Sequence, residues 1–461
     1  MKYSAIAILV VSRSTVLASN TYPVTDTEQL FCYDSDSTAS GTGGTTGDDT
    51  PDDTPNEVSP GTVDPGPETG DQGTGGQDGS QFLPAPGGLR PRPNRPSRPR
   101  DGGGRRHLDE ITCAGTGQDA EYTTLSQSFQ NNGDGTISDL NTGLMWTEDV
   151  YGDGLTYEQV ENEVTIFSLG GYSDWRVPTI KELYTLSEFN GQTGTSQDTN
   201  IPYIDTDYFN VKYGTTRYID GQLWSSNQYT GVIFDNPNSE CNFGFNSIDG
   251  RIKCYGRTST KLYVRYVRGN TNVGTNLFSV SGLSRDIIVD AATGLEWTRG
   301  DSGSGLDWEE SLSYCNDLEL GGYNDWKLPD AHQLQSIVDY NRSPDATGTP
   351  AIDPLFESTQ ITNEAGAVDF GWYWTSTTHL DGKPLGSNAI YIAFGRATGY
   401  FEAPNGTVIG SVDVHGAGAQ RSDPKVGPVP DPNYFGPQGD YRRVYNFARC
   451  VRGSSSASPD V

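Results

Sequence analysis

The chain has 461 residues, and 60 acidic side chains against 31 lysines and arginines give it a net charge of −29. That balance repels nucleic acid, sulfated glycans and anionic lipid at long range, which argues against all three as partners. Its six cysteines, an even number with none in a C-x-x-C pair, fit disulfides in an oxidising compartment better than a zinc site.

Residues 1–18 read as a secretory signal: Met1-Lys2, an apolar run from Ala5 to Val11, and Val16-Leu17-Ala18 as a small-residue cleavage site, although Ser12 and Arg13 interrupt the apolar core. No later stretch approaches the roughly 20 apolar residues of a membrane-spanning helix, so no transmembrane segment is expected. Residues 19–112 form a low-complexity tether. From Ser35 to about Ser80 it is mostly Gly, Thr, Asp and Pro, which cannot bury enough surface to offset the entropy of ordering. Arginines from Arg90 to Arg106 then crowd among prolines, either as a contact patch for anionic polymer or as a solvated, semi-extended spacer. A bridge from Cys32 to Cys113 would close the tether into a loop.

Beyond the tether one unit occurs twice, in residues 113–270 and 283–453, followed by a disordered tail at 454–461. Asp139-Leu140-Asn141-Thr142-Gly143-Leu144-Met145-Trp146 returns as Asp290-Ala291-Ala292-Thr293-Gly294-Leu295-Glu296-Trp297, and Gly170-Gly171-Tyr172-Ser173-Asp174-Trp175-Arg176 as Gly321-Gly322-Tyr323-Asn324-Asp325-Trp326-Lys327. Repeats this long are two domains rather than solenoid units. Asn132-Gly133-Asp134-Gly135 mimics a calcium loop, but the EF-hand spacing would place ligands on Gln130 and Asn141, so the glycines are read as a turn. Tyr157, Val160, Val164 and Phe167 mark one face of a helix, repeated by Trp308, Leu312, Cys315 and Leu318. Thr179 with Glu182, and Asp330 with Gln333, announce a second helix in each copy through a capping box. Asp174 and Asp325 are expected to bond turn amides.

These words, with the closing Val264-Arg265-Tyr266-Val267-Arg268-Gly269 and Ala448-Arg449-Cys450-Val451-Arg452-Gly453, resemble the family named after the C-terminal domain of the Legionella collagen-like adhesin. The resemblance implies bacterial export and says more about architecture than chemistry. The element order of each copy is similar to the C-type-lectin-like fold, so the expected class is α+β, two tandem C-type-lectin-like domains preceded by the tether. The adhesin binds sulfated glycosaminoglycans, and the charge of this chain departs from it there. The calcium words of C-type lectins are absent; Glu402-Ala403-Pro404-Asn405 is a scrambled echo.

Alignment of the copies sets Cys315 opposite Val164 and Cys450 opposite Tyr266, so both halves of one bridge are missing together in copy one. This pairs Cys315 with Cys450, a staple that lectin-like domains often carry, and leaves Cys241 to Cys254. Gly300-Asp301-Ser302-Gly303 mimics a protease nucleophile turn, yet the fold signals are wrong for that class, and His332, His379 and His415 show no metal spacing and read as helix-surface and loop residues. Trp175 and Trp326 are expected in the core. An insertion of copy two, Phe401 to Tyr441, carries the candidate ligand-binding residues His415, Gln420, Arg421, Asp423 and Lys425, with Trp372 and Tyr434 as aromatic faces; the alternative is a structural loop packing between domains. The expectation is an exported cell-surface or extracellular recognition or adhesion protein, not an enzyme, without cofactor or metal. It would bind a protein or neutral glycan, alone or as a homo-oligomer. Alternatives are a structural subunit of an extracellular assembly and, third, a hydrolase.

Overall fold

The computed structural model describes residues 116–122, 126–236, 238–381, 384–402, 408–427 and 440–453. The signal segment, the tether, Cys32, Cys113, Tyr434 and the tail lie outside the described residues.

Copy one contains β1 (Phe129–Asn131), β2 (Thr136–Asp139), β3 (Leu144–Thr147), β4 (Tyr151–Leu155), α1 (Tyr157–Val164), α2 (Ile180–Tyr184), β5 (Gln222–Gln228), β6 (Cys241–Asn246), β7 (Arg251–Gly256), β8 (Leu262–Val264) and β9 (Val267–Gly269). Copy two, with a first strand that lies ahead of residue 283 and pairs with its second, contains β10 (Phe278–Val280), β11 (Ile287–Asp290), β12 (Leu295–Thr298), α3 (Trp308–Asn316), α4 (Ala331–Ser336), α5 (Pro344–Thr347), β13 (Gln360–Thr362), β14 (Val368–Phe370), β15 (Trp372–His379), β16 (Asn388–Ala393), β17 (Thr398–Glu402), β18 (Val408–Asp413), β19 (Gln420–Pro424) and β20 (Val451–Arg452). The molecule is therefore sheet-rich with short helices, in two tandem domains.

Each repeated word builds the same local structure twice. Asp139 Oδ1 accepts from the Asn141 and Thr142 amides (3.0 and 3.3 Å) and Asp290 Oδ1 from the Ala292 amide (3.1 Å), turning the chain so that Gly143 and Gly294 sit at φ 69° and 72°, a region open to glycine. β2 then pairs with β3, and β11 with β12. Gly133 and Gly135 likewise have positive φ, and the Asp134 carboxylate accepts from the Thr136 amide (3.1 Å), so this word is a turn. Both anticipated capping boxes form, at Thr179–Glu182 and Asp330–Gln333. The stripe predicted to end at Phe167 overshoots: α1 stops at Val164, and Phe167 packs from the following turn against Tyr266 (4.4 Å) and Tyr151 (4.8 Å).

The D-W-[RK] word meets the closing strand. Arg176 bridges to Val267 and Lys327 to Val451 in backbone register, while Trp175 Nε1 donates to the Leu169 carbonyl (3.2 Å) and Trp326 Nε1 to the Leu320 carbonyl (3.3 Å). Asp174 and Asp325 do not act as anticipated. Each grips an arginine in two-pronged fashion, Arg268 and Arg452 respectively, at 2.7 and 3.1 Å in both copies. Those guanidiniums lie over Tyr172 (3.8 Å) and Tyr323 (3.5 Å). A planar guanidinium matches a carboxylate at its edge and an aromatic ring at its face. Three residues earlier, Arg265 and Arg449 are fully buried. Arg265 donates to the Glu148 carbonyl (2.8 Å) and the Asn210 carbonyl (2.6 Å), and Arg449 to the carbonyls of Thr298 and Glu357 (2.8 Å each).

Of the three anticipated disulfides, the two whose cysteines are described are present. Cys241–Cys254 clamps the β6–β7 hairpin, and Cys315–Cys450 ties α3 to the start of the closing strand with Cα atoms 5.4 Å apart. Closing segments of 13 and 135 residues contributes about 3 and 5 kcal/mol by the chain-entropy account.

The copies are not independent. One eight-stranded sheet runs β15-β16-β19-β7-β6-β5-β8-β4, so the outermost strand of copy two's run joins that of copy one, antiparallel, at Gln420 and Ile252. Equivalent strands meet edge to edge, and the equivalent helices α2 and α4 are also in contact. The bounds expected for the insertion are thereby corrected. β19 occupies the place in copy two that β7 fills in copy one, and the added material is the β17–β18 hairpin together with the stretch after β19.

Trp326 is 2 % exposed and Trp175 5 %. Trp326→Ala should lower unfolding free energy by about 3–5 kcal/mol in chemical denaturation; an unchanged midpoint would contradict its core role.

Candidate functional site

The candidate residues of copy two converge, but inside the protein. His415, Gln420, Arg421, Asp423, Lys425 and Trp372 are all buried. The five from the insertion were expected on an exposed loop; they belong instead to β19, the residue after it or the turn before it, and are buried. Trp372, from β15, stacks on Tyr391 with parallel rings 4.6 Å apart and donates from Nε1 to the Arg396 carbonyl (2.9 Å). Lys425 Nζ donates to Thr378 Oγ1 (2.7 Å) and sits 4.0 Å over the Trp308 ring.

Pairing of Tyr391 with Arg421 across β16 and β19 puts them on one sheet face, with Asp423 two residues along. Arg421 Nη2 donates to Asp440 at 3.1 and 3.3 Å, and His415 Nε2 lies 3.6 Å from the same carboxylate. Burial, reinforced by Arg421, lowers the His415 imidazole to about 4, so it is neutral at pH 7. Burial pushes the Asp423 carboxyl up to about 8. Burial also opposes ionisation of Asp440, but Arg421 outweighs it, with help from His415 and Lys253, and holds this carboxyl well below its ordinary range. Several buried polar atoms here, Tyr391 Oη, Gln420 Oε1, Arg421 Nη1 and Asp423 Oδ1, have no hydrogen-bond partner among the described residues, where an unpaired buried group is costly.

Other contacts do cross the join. Arg251 of copy one pairs with Asp381. Tyr203 stacks on His379 (4.9 Å, 7°), whose Nδ1 lies 3.0 Å from Asp381; this histidine was expected in a loop and is instead a buried strand residue. His332 does lie on helix α4, with Nε2 2.8 Å from Ser187 Oγ of copy one. Tyr229 Oη donates to Asp413 (2.7 Å), whose other oxygen accepts from the Gly416 amide (2.8 Å). Burial pushes the Asp413 carboxyl up to about 7.

Beside Tyr229 the copies leave a cleft of ≈ 610 Å³, lined by residues 226–232, Ser239 and Glu240 of copy one and by Tyr340 and Asn341 of copy two. Sequence reasoning missed it because its walls lie more than a hundred residues apart. The protease-like word is a structural tie: Ser302 Oγ donates to the Ser304 carbonyl (2.7 Å) and accepts from the Ala448 amide (3.0 Å), and Asp301 accepts from Tyr373 Oη (2.6 Å). Among the described residues, no three His, Cys, Asp or Glu side chains converge to hold a metal, and no helix is long and apolar enough to cross a membrane.

These features define a disulfide-bonded, sheet-rich protein made of two fused copies of one domain. The chain belongs to the Lcl C-terminal domain family, whose model matches it twice, over residues 135–268 and 286–409. No curated protein and no solved structure matches the chain.

Two outcomes follow. Arg421→Ala strands Asp440 in the interior and should cost about 3–5 kcal/mol, read by denaturant unfolding; a near-neutral change would mean the pair is not closed. The folded Asp413 carboxyl titrates above its unfolded value, so its stabilising contribution is full below about pH 4 and is lost as pH rises through about 7. Asp413→Asn should therefore gain melting temperature relative to the parent between pH 5 and pH 8.5. A difference that stays flat would remove Asp413 as the titrating group.

Proposed function

We propose that this is an exported, cell-surface or extracellular recognition protein of the adhesin type, with two C-type-lectin-like domains that bind a polar ligand, a neutral glycan or a protein surface. The observation that carries this reading is the cleft whose walls come from both copies, on a body fused through one sheet. Binding sites favour such domain junctions, where a few polar groups converge in a concavity. The two disulfides support an oxidising location. The net charge of −29 turns the reading away from polyanions. His415, Gln420, Arg421, Asp423, Lys425 and Trp372 enter it as the buried frame that fixes the loops, and the contacts fall to exposed groups above them. The added β17–β18 hairpin gives copy two a structure that copy one lacks.

The test is capture by the purified full chain, on a glycan array and in pull-downs of surface proteins from cells sharing its habitat. Saturable binding in either arm that survives 0.5 M salt is expected, since a neutral contact is little screened. Absence of binding in both arms, or self-association into filaments as the sole interaction, would replace the recognition reading with an assembly subunit.

A further inference from the structure

Both copies carry the same short word at the join, Pro202-Tyr203-Ile204-Asp205 and Pro350-Ala351-Ile352-Asp353. Its backbone role is conserved between them: the Glu188 amide donates to the Tyr203 carbonyl (3.0 Å), and the Asp339 amide to the Ala351 carbonyl (2.9 Å). The side chains differ. Tyr203 crosses to copy two and covers His379, and the backbone there is closed further by the Thr193 amide donating to the Leu380 carbonyl (3.0 Å). Tyr229 holds the place in copy one that His379 holds in copy two, five residues after Trp224 and Trp374. Position 351 carries no ring to set against it; Tyr229 is buried and tied to Asp413 instead, and the cleft lies beside it.

The polar groups at this cleft are held from behind. Asn227 Oδ1 accepts from the Ile180 amide (2.8 Å), leaving its Nδ2 as donor. Gln228 Oε1 accepts from Arg257 (2.9 Å), leaving its Nε2. Asn341 Nδ2 donates to Asp339 (3.2 Å), leaving its Oδ1 as acceptor. The Glu240 carboxylate stands 3.9 Å from Arg257 Nε. Donor amides and acceptor oxygens fixed within one cleft suit a ligand whose groups both donate and accept, and hydroxyls do this. The volume lies within the range of small-ligand sites.

We propose that this inter-repeat cleft is a binding site for a neutral oligosaccharide, with Asn227, Gln228, Glu240 and Asn341 as its hydrogen-bonding groups. The assignment deepens the recognition reading and rests on it. The experiment titrates the full chain with maltotriose, cellotriose, chitotriose and mannotriose by calorimetry, beside the double variant Gln228→Ala/Asn341→Ala and the space-filling Thr230→Trp. All three positions are exposed; the double variant should melt with the parent, and Thr230→Trp somewhat lower, because it gives up the Thr230 Oγ1 to Ser343 Oγ hydrogen bond (3.1 Å). At least one trisaccharide should bind the parent, and both variants should weaken it tenfold or more. If no trisaccharide binds, or if both folded variants bind as the parent does, the cleft is not a saccharide site. In that event, array or pull-down binding that persists in the variants leaves the recognition reading standing with its contacts elsewhere, and its absence ends both. Loss of a protein partner in the variants without saccharide binding assigns the cleft to protein and overturns the ligand class.

Discussion

The structure depends on the meeting of β7 and β19. Each copy ends its main run of strands on an edge, and an exposed edge is a template for unwanted pairing. Joining the two edges removes both. The shared ladder is short, with register at Gln420 and Ile252, so the side chains around it carry the attachment: Arg251 with Asp381 and Ser422, Tyr203 on His379, and Tyr229 with Asp413. Charged groups of this kind are poor net stabilisers when buried, yet breaking one pair is expensive. The copies therefore fold as one body, and parting them would expose polar groups that have partners across the join.

The closing strand shows how position, and not residue type, sets a role. V-R-Y-V-R-G and A-R-C-V-R-G each present two arginines three residues apart, and alternation along an extended chain sends them to opposite sides. The first gathers carbonyls from loops that have no ladder to satisfy them. The second lies at the surface, sandwiched by a tyrosine face and the aspartate of the D-W word. In solvent such a pair adds little energy; its use is to fix where the Gly-Gly-Tyr turn rests against the strand.

Much of this was legible in the sequence because it is local or repeated. The capping boxes need only four residues, the T-G-L turn needs an aspartate and a glycine, and comparison of the copies gave the Cys315–Cys450 pair. What was not legible is what forms across copies. Gln420, Arg421, Ser422 and Asp423 have no apolar alternation, so no periodicity marks them as a strand, and their polarity reads as a ligand loop. Burial is possible only because Asp440, Arg443 and the edge of β7 arrive from elsewhere. The signal available was Asp413-x-His415-Gly416, where an aspartate accepts amides of its own turn and prepares the chain to re-enter the sheet.

The same displacement explains where the family match stops. It ends at residue 409, inside β18, because the added hairpin pushes β19 and the closing strand further along the chain than in copy one. The fold does not end there. β12 has its partner in β20 at Trp297 and Val451, Cys315 has its partner in Cys450, and the carbonyls of Thr298 and Glu357 have theirs in Arg449. A second domain cut at 409 would keep the T-G-L and D-W words and lose the closing word, with the strand, the disulfide and the buried cation that hold the others, together with the edge that copy one needs for its own sheet.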